Sequence, residues 1–381
     1  MKKVGIICEY NPFHNGHVYH LQKVREMFKD ALIVLVMSGN FTERGDVSII
    51  NKWDKTKIAL AYGVDLIVEL PFPFACESAD TFAMGAIKIL SLLDVDYLVF
   101  GSESDDIKTL ENLVNVQLYN TEYEKLVKEY LDLGNNYPVS VSKALLNLTN
   151  QHITSPNDLL GLCYIKQIKK QDSKIIPLTI KRTSDFNSSE LNENIVSAKA
   201  IRKALNEGID IKNYVPVEVF NYLKQYQNFQ DNYFKLLKYK IISDIDALDK
   251  YQDVSEGIDK RIKKYILSAS SYQDLIEKVK TKRYTYNRLN RMFLHIILGY
   301  TKEKSQKFKE ITYIRLLGFN ILGREYIKKL KKETTFPIIT NYSDLEDEML
   351  SYELRTSFIY SEIMENDSLK NIELKSIPIQ K

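Results

Sequence analysis

The stretch "VGIICEYNPFHNGHVYHLQKV", residues 4–24, holds three of the chain's five histidines, His14, His17 and His20, within seven residues. An apolar run ends at Cys8, a polar loop follows, and from Gly16 onward apolar residues recur at helical spacing. The order is strand, loop, helix start. Unpaired backbone N–H groups and the positive end of the helix dipole gather at such a start and attract phosphate. Gly16 lets a ligand approach the backbone without meeting a Cβ. In that setting the imidazoles of His14 and His17 donate hydrogen bonds to phosphate oxygens and to charge on a departing group, as stabilisers more than nucleophiles. Two other readings compete. A zinc site is disfavoured because the first and last histidines fall on nearly opposite helix faces and no cysteine or acidic cluster completes the ligand set. Simple capping or packing stays open, above all for His20.

The same alternation continues beyond this unit. "ALIVLVM", "DLIVEL", "DYLVFG" and "IIPLTIKR" read as short strands separated by helical patterns, which predicts βαβ units and a parallel sheet covered by helices on both faces. After "SAKAIRKALNEGIDIKNYVPVEV" strand runs nearly vanish, and Tyr, Lys, Ile and Leu recur at helical spacing. The expectation is an α/β, Rossmann-like domain over residues 1–212 followed by a mainly α-helical domain over 213–381, with a strand or two in the tail at "FPIIT". A length of 381 residues with 44% hydrophobic content is ample for two cores. No apolar run approaches the roughly 20 residues of a membrane span and no signal-peptide pattern is present, so a cytoplasmic protein without membrane association is expected. Cys8, Cys76 and Cys163 are widely spaced, which suggests neither disulfides nor a thiolate metal site.

Charge is unevenly placed. Residues 276–334 carry sixteen Lys or Arg against five Asp or Glu, so the rest of a chain of net charge +3 is acidic. Within that segment, "KVKTKRYTYNRLNR" interleaves Lys280, Lys282, Arg283, Arg288 and Arg291 with Tyr284 and Tyr286. Cations that meet phosphates beside aromatics that stack on bases suit RNA with unpaired loops. Arg288 and Arg291, one turn apart, share a helix face; a solvated basic face is the plainer alternative. Arg44 and Lys52, which follow the second strand in "SGNFTERGDVSIINKWDK", are further candidates to reach a polyphosphate or an RNA end, whereas Trp53 reads as core.

H-x-G-H at the first strand-to-helix turn of a doubly wound sheet resembles the HxGH nucleotidyltransferase superfamily, and Walker-type and G-x-G-x-x-G phosphate loops are absent. With "SGNFTERG", "DLIVELPF", "FGSES", "SAKAIR" and "KTKRYTYNRLNR" following in that order, the chain resembles the bacterial tRNA(Met) cytidine acetate ligase family over nearly its whole length. The resemblance implies an enzyme that activates acetate with ATP to acetyl-adenylate and pyrophosphate, then acetylates N4 of the wobble cytidine 34 of elongator tRNA(Met). It implies catalytic roles for His14 and His17. It implies an ATP site built from Ile7, Cys8, Glu9, Tyr10, Asn11, Pro12, Phe13, His14, Asn15, Gly16, His17, Val18, Tyr19 and His20, then Gly101, Asn157 and Arg182. Ser197 and Arg202 fall where the superfamily holds the β- and γ-phosphates, and Lys282, Arg283, Arg288 and Arg291 fall to tRNA. Mg²⁺ is a reasonable companion of ATP, although no acidic cluster is there to hold it, and no obligate protein partner is implied. Glu43 stands where a Gln is expected, and "SDFNS" at 184–188 where a Tyr-His-like pair is; the roles of both stay open. Two alternatives remain: a small-molecule adenylyltransferase, to which the basic half is a poor fit, and a non-catalytic RNA-binding protein.

Overall fold

The computed structural model describes residues 1–182, 196–224 and 226–381. Five parallel strands form its heart: β1 (Lys3–Cys8), β2 (Leu32–Ser38), β3 (Leu66–Leu70), β4 (Tyr97–Ser102) and β5 (Ile176–Lys181). They lie in the order β5-β4-β1-β2-β3. Every residue of β2 is buried. Leu32, Val34 and Val36 enter one hydrophobic core, while Ile33, Leu35 and Met37 enter another on the opposite face. A strand apolar on both faces is stable only where helices cover both, which is the architecture the alternating runs predict.

The chain winds from β1 through β2 to β3 in one direction, then returns to place β4 on the other side of β1. This reversal opens a crevice outside the carboxyl ends of β1 and β4, the place where open α/β sheets bind ligands. The first helix, Asn15–Met27, starts at that crevice.

The sheet then departs from the sequence expectation. β6 (Ile314–Phe319), inside the segment read as helical, pairs antiparallel with β3, and β7 (Ile338–Ile339) and β8 (Ile379–Gln380) both pair with β6. β7 lies in "FPIIT", where a tail strand is expected; β6 was hidden because its sequence, IRLLGF, carries an arginine within a basic stretch. Arg315 is tolerated at 0% exposure because its Nη1 lies 3.0 Å from Glu69 of β3 and 2.8 Å from Glu373 of a C-terminal helix. Lys52 belongs to the same group, 2.7 Å from both Glu69 and Glu373. Its expected reach toward a polyphosphate or RNA is therefore corrected: it is a buried structural cation. Trp53 is core, as expected, and donates its indole N–H to Glu373 (2.7 Å). Among the described residues no helix is long and apolar enough to cross a membrane.

Candidate active site at the carboxyl ends of the strands

His14 is the N-cap of the first helix, an unusual choice of residue for that position. Its Nδ1 accepts the backbone N–H of Gly16 (3.0 Å), and the Nδ1 of His17 accepts the backbone N–H of His14 (3.1 Å). Because a backbone N–H can only donate, each Nδ1 is unprotonated and each ring carries its proton on Nε2. Burial keeps the rings uncharged: it pushes His14 down to about 3, helped by Arg182, and holds His17 well below the usual histidine range, helped by His14, His20 and Arg182. The two rings stack with centroids 3.9 Å apart, and Tyr10 meets His17 edge-on at 4.7 Å. The helix cap thus presents two neutral, oriented N–H donors to the crevice.

A cavity of about 260 Å³ occupies that crevice. Of the residues implied by resemblance, it gathers Ile7 to Asn11, His14, Gly16, His17, Tyr19 and His20 from the first unit, and Gly101, Asn157, Arg182, Ser197 and Arg202 from four later segments. Pro12, Phe13, Asn15 and Val18 do not line it. Phe13 is wholly buried, and Asn15 donates from its side chain to the carbonyl of Asn213 (2.9 Å). His20 lines the cavity with its Nε2 buried and unbonded among the described residues, and burial, with Arg182, lowers it to about 4. Burial drives the Cys8 thiol up to about 12, which rules out a thiolate nucleophile.

Each remaining wall has a local cause. Gly101 lies one residue before the end of β4, where a Cβ would press within 3.3 Å of Arg182. Asn157 sits in the first turn of helix Pro156–Lys170, whose N-cap is Ser155, and it bonds Glu103. The buried carboxylate of Asp158 ties this turn to the β4 loop through the backbone N–H groups of Glu103 (3.1 Å) and Ser104 (3.0 Å). Ser197 caps helix Ala198–Asn206. Arg202 on that helix reaches the carbonyl of Asn11 (2.6 Å) and the carboxylate of Asp46 (2.7 Å), so it braces the loop around the histidines.

The sequence reading missed two groups of wall residues. Thr42, Glu43 and Asp46 come from the tight loop after β2 whose Arg44, the residue of the loop named as a candidate, also lines the cavity; Phe82, Val99, Phe100, Leu160, Tyr164 and Ile180 form its apolar side. Beside the "SGNFTERG" motif, the first group carried a further signal in Gly45, which adopts φ +77° where a Cβ would meet the backbone of Asn290 and Arg291. Lys181, Ala198 and Lys199, neighbours of candidate residues, also line the cavity. The "SDFNS" positions lie outside the described residues. No three His, Cys, Asp or Glu side chains come together as a metal site among the described residues, and an ion accompanying ATP takes its ligands largely from phosphate oxygens.

Residues 1–375 match the model of the HIGH Nucleotidyl Transferase family. A tRNA(Met) cytidine acetate ligase of Caldicellulosiruptor bescii is 40% identical over 100% of this chain and 98% of its own length, and one of Anoxybacillus flavithermus is 38% identical over 96% and 95%. The chain belongs to the tRNA(Met) cytidine acetate ligase family. A crystal structure of Thermotoga maritima TmcAL superposes with a TM-score of 0.90 at 32% identity, covering 100% of this chain and 99% of that one. A second, of the same protein bound with alpha-thio ATP, gives 0.89 with the same coverage.

In this member of the tRNA(Met) cytidine acetate ligase family, the basic segment sorts into inner and outer cations. Lys282 and Arg283 are exposed and line a shallow second cavity of about 380 Å³ with Arg261 and Glu256. Lys280 sits over the exposed ring of Tyr286 at 4.3 Å. Arg288 stacks on buried Tyr284 at 3.9 Å and donates to Ser255 (3.2 Å). Arg291 points inward, where its Nη1 donates to the carbonyl (3.3 Å) and carboxylate (3.2 Å) of Glu43. The shared face of Arg288 and Arg291 is therefore not presented as one surface patch.

Proposed function

We propose that this chain uses ATP and acetate to form acetyl-adenylate and pyrophosphate, then transfers the acetyl group to N4 of the wobble cytidine 34 of elongator tRNA(Met), yielding N4-acetylcytidine and AMP. The observation that carries this reading is the pair of neutral Nε2–H donors at the cavity, set by a helix cap and facing a pocket that also gathers Gly101, Asn157, Arg182, Ser197 and Arg202. Membership of a family whose relatives are named for this reaction supports the same conclusion.

The chemistry follows from those groups. An acetate oxygen attacks the α-phosphorus in line; the new O–P bond forms as the bond to the bridging oxygen breaks, and pyrophosphate leaves with the electron pair. Acetate is already anionic, so no base is needed. His14 and His17 donate to the phosphate oxygens where charge accumulates, and Arg182 adds a full positive charge to the same cavity. We assign residues 1–212 the adenylation chemistry and residues 213–381 the larger share of tRNA contact, with Lys282, Arg283 and Arg288 as the cations best placed to meet RNA and Arg291 acting from inside. The cytoplasm, where tRNA and ATP are at hand, is the proposed location.

The test is ATP–pyrophosphate exchange with purified protein, followed by nucleoside mass spectrometry of elongator tRNA(Met) incubated with ATP and acetate. Acetate-dependent exchange and new N4-acetylcytidine are expected. Losing one of two donors in His17→Ala is expected to slow exchange on the order of 100-fold to 1000-fold. Exchange that depends on a mononucleotide in place of acetate would support the adenylyltransferase alternative, and no exchange would support the binding protein.

A further inference from the structure

We propose that Glu9 is the base that takes the proton from the cytidine amine in the acetyl-transfer step; the assignment rests on the ligase reading above. Activation of acetate leaves no work for a base, but transfer does. The lone pair of the exocyclic amine is drawn into the pyrimidine ring, so attack on the acyl carbon gives an acidic, positively charged nitrogen that reverts unless its proton is removed. In the balanced step, a bond forms between N4 and the acetyl carbon. The acyl C–O bond to the adenylate phosphate breaks, AMP departs with the electron pair, and one N4 proton passes to the Glu9 carboxylate, which returns it to solvent.

The cavity offers few acceptors, and His20, although its Nε2 is unbonded among the described residues, is held to about 4 by burial and Arg182 and so is a weak base near neutrality. His14 and His17 have their Nδ1 atoms occupied by backbone N–H groups and carry protons on Nε2. Asp46 holds the guanidinium of Arg202 at 2.7 Å, and Glu43 holds that of Arg291 at 3.2 Å. Glu9 follows β1 at its carboxyl end. Its carbonyl is fixed by the ammonium of Lys55 (2.9 Å), and its Oε1 accepts the backbone N–H of Glu43 (2.6 Å). Its Oε2 takes no hydrogen bond from a described residue, although the residue lines the cavity. It is the cavity carboxylate, among the described residues, left with an oxygen to spare, and Arg44 on the same cavity wall is the cation whose charge acts on it.

Its location also suits the second substrate. Glu9 bonds Glu43, Glu43 bonds Arg291, and Arg291 lies on helix Tyr286–Leu298, directly after the exposed Lys282 and Arg283. The carboxylate therefore stands on the wall of the cavity that connects to the basic segment. Burial is the main influence on its protonation. Burial, with repulsion from Glu43 and Asp46, raises it to about 7 against the pull of the Glu43 N–H and of Arg44. Lys55, lowered to about 7 by its own burial, is the remaining charged group in contact, at the Glu9 carbonyl. A base half-ionised near neutrality is matched to proton transfer at that pH.

Single-turnover transfer measures the assignment. Enzyme is loaded with acetyl-adenylate from ATP, acetate and pyrophosphatase, mixed with elongator tRNA(Met), quenched, and scored for N4-acetylcytidine. Glu9→Gln keeps an acceptor for the Glu43 N–H, and because Glu9 lines the nucleotide cavity its exchange rate is measured alongside and the transfer loss is read relative to it. Transfer is expected to fall about 100-fold to 10,000-fold beyond whatever the variant loses in acetate-dependent exchange. The wild-type transfer rate should rise with pH through about 7, and the variant should lose that rise. Equal losses of exchange and transfer would overturn the assignment and make Glu9 a nucleotide-site residue, as would a raised acetate requirement with normal transfer. Absence of acetate-dependent exchange in the wild type would instead overturn the ligase reading, and this assignment with it.

Discussion

His14 and His17 do two jobs with opposite edges of one ring. Nδ1 closes the helix start and leaves Nε2–H to the cavity, so an alanine at either position removes the donor and opens the cap together. Holding the imidazoles neutral has a thermodynamic side. In the unfolded chain each titrates near its usual 6.5, whereas in the fold His14 and His20 fall to about 3 and about 4. Below pH 6.5 the unfolded state therefore binds more protons, and stability drops as the pH falls. The full effect is about 1.4 kcal/mol per pH unit for each histidine, and less where the cavity admits water. His20→Asn removes one such site without touching the cap. Urea midpoints of wild type and variant, compared at pH 7.5 and pH 5.5, should show the variant losing less stability on acidification; equal losses would mean that His20 is solvated.

The loop from Thr42 to Asp46 is held from three sides: by Glu9 at the backbone of Glu43, by Arg202 at Asp46, and by helix Tyr286–Leu298 at Glu43 and Gly45. At Gly45 a Cβ would lie 2.3 Å from the backbone nitrogen of Arg291 while φ is +77°. Neither the strain nor the clash can be relieved by a rotamer change. Gly45→Ala is expected to cost at least about 1 kcal/mol in a denaturant titration and to raise the KM for ATP, because the loop forms part of the cavity wall. Little of this was legible in the sequence. The histidine turn announced itself because a strand, a loop and a helix start follow one another locally. The loop's importance comes from contact with residues some 250 positions away. Likewise Phe100, Leu160 and Tyr164 read as ordinary core, since a residue beside an apolar cavity and one beside a packed side chain have the same pattern. Arg291 misled for the converse reason: helical spacing shows that it shares a face with Arg288, not which partner that face meets.

A buried charge cluster binds the two ends of the chain together. Lys52 and Arg315 share Glu69 and Glu373; Glu353 accepts the N–H of Phe72 (2.7 Å) and lies 4.0 Å from Lys52. Burial works against both cations, but Glu373 and Glu69, with Tyr342 at Arg315, outweigh it and hold them charged. Glu353, by contrast, is driven up to about 8 by burial and by the nearby Glu69. Such a cluster adds little net stability over an apolar one, yet breaking it leaves a bare charge inside. Glu373→Ala should therefore cost about 3 to 5 kcal/mol. Since the pairs span α/β core and C-terminal helices, fluorescence from the tryptophan at position 53 and far-ultraviolet circular dichroism should report one coincident transition. Two separated transitions would show that the halves fold independently. The sequence could not foresee this union, because an arginine in a basic run gives no sign that it will enter a sheet.

The antiparallel pairing of β6 with β3 has a bearing on how the protein is made. On the ribosome β3 emerges roughly 240 residues before its outer neighbour, leaving an apolar strand edge of the kind that invites pairing with other chains. Slow or stalled translation of the middle of the message would prolong that exposure, so the yield of soluble protein should depend on how promptly the C-terminal segment arrives.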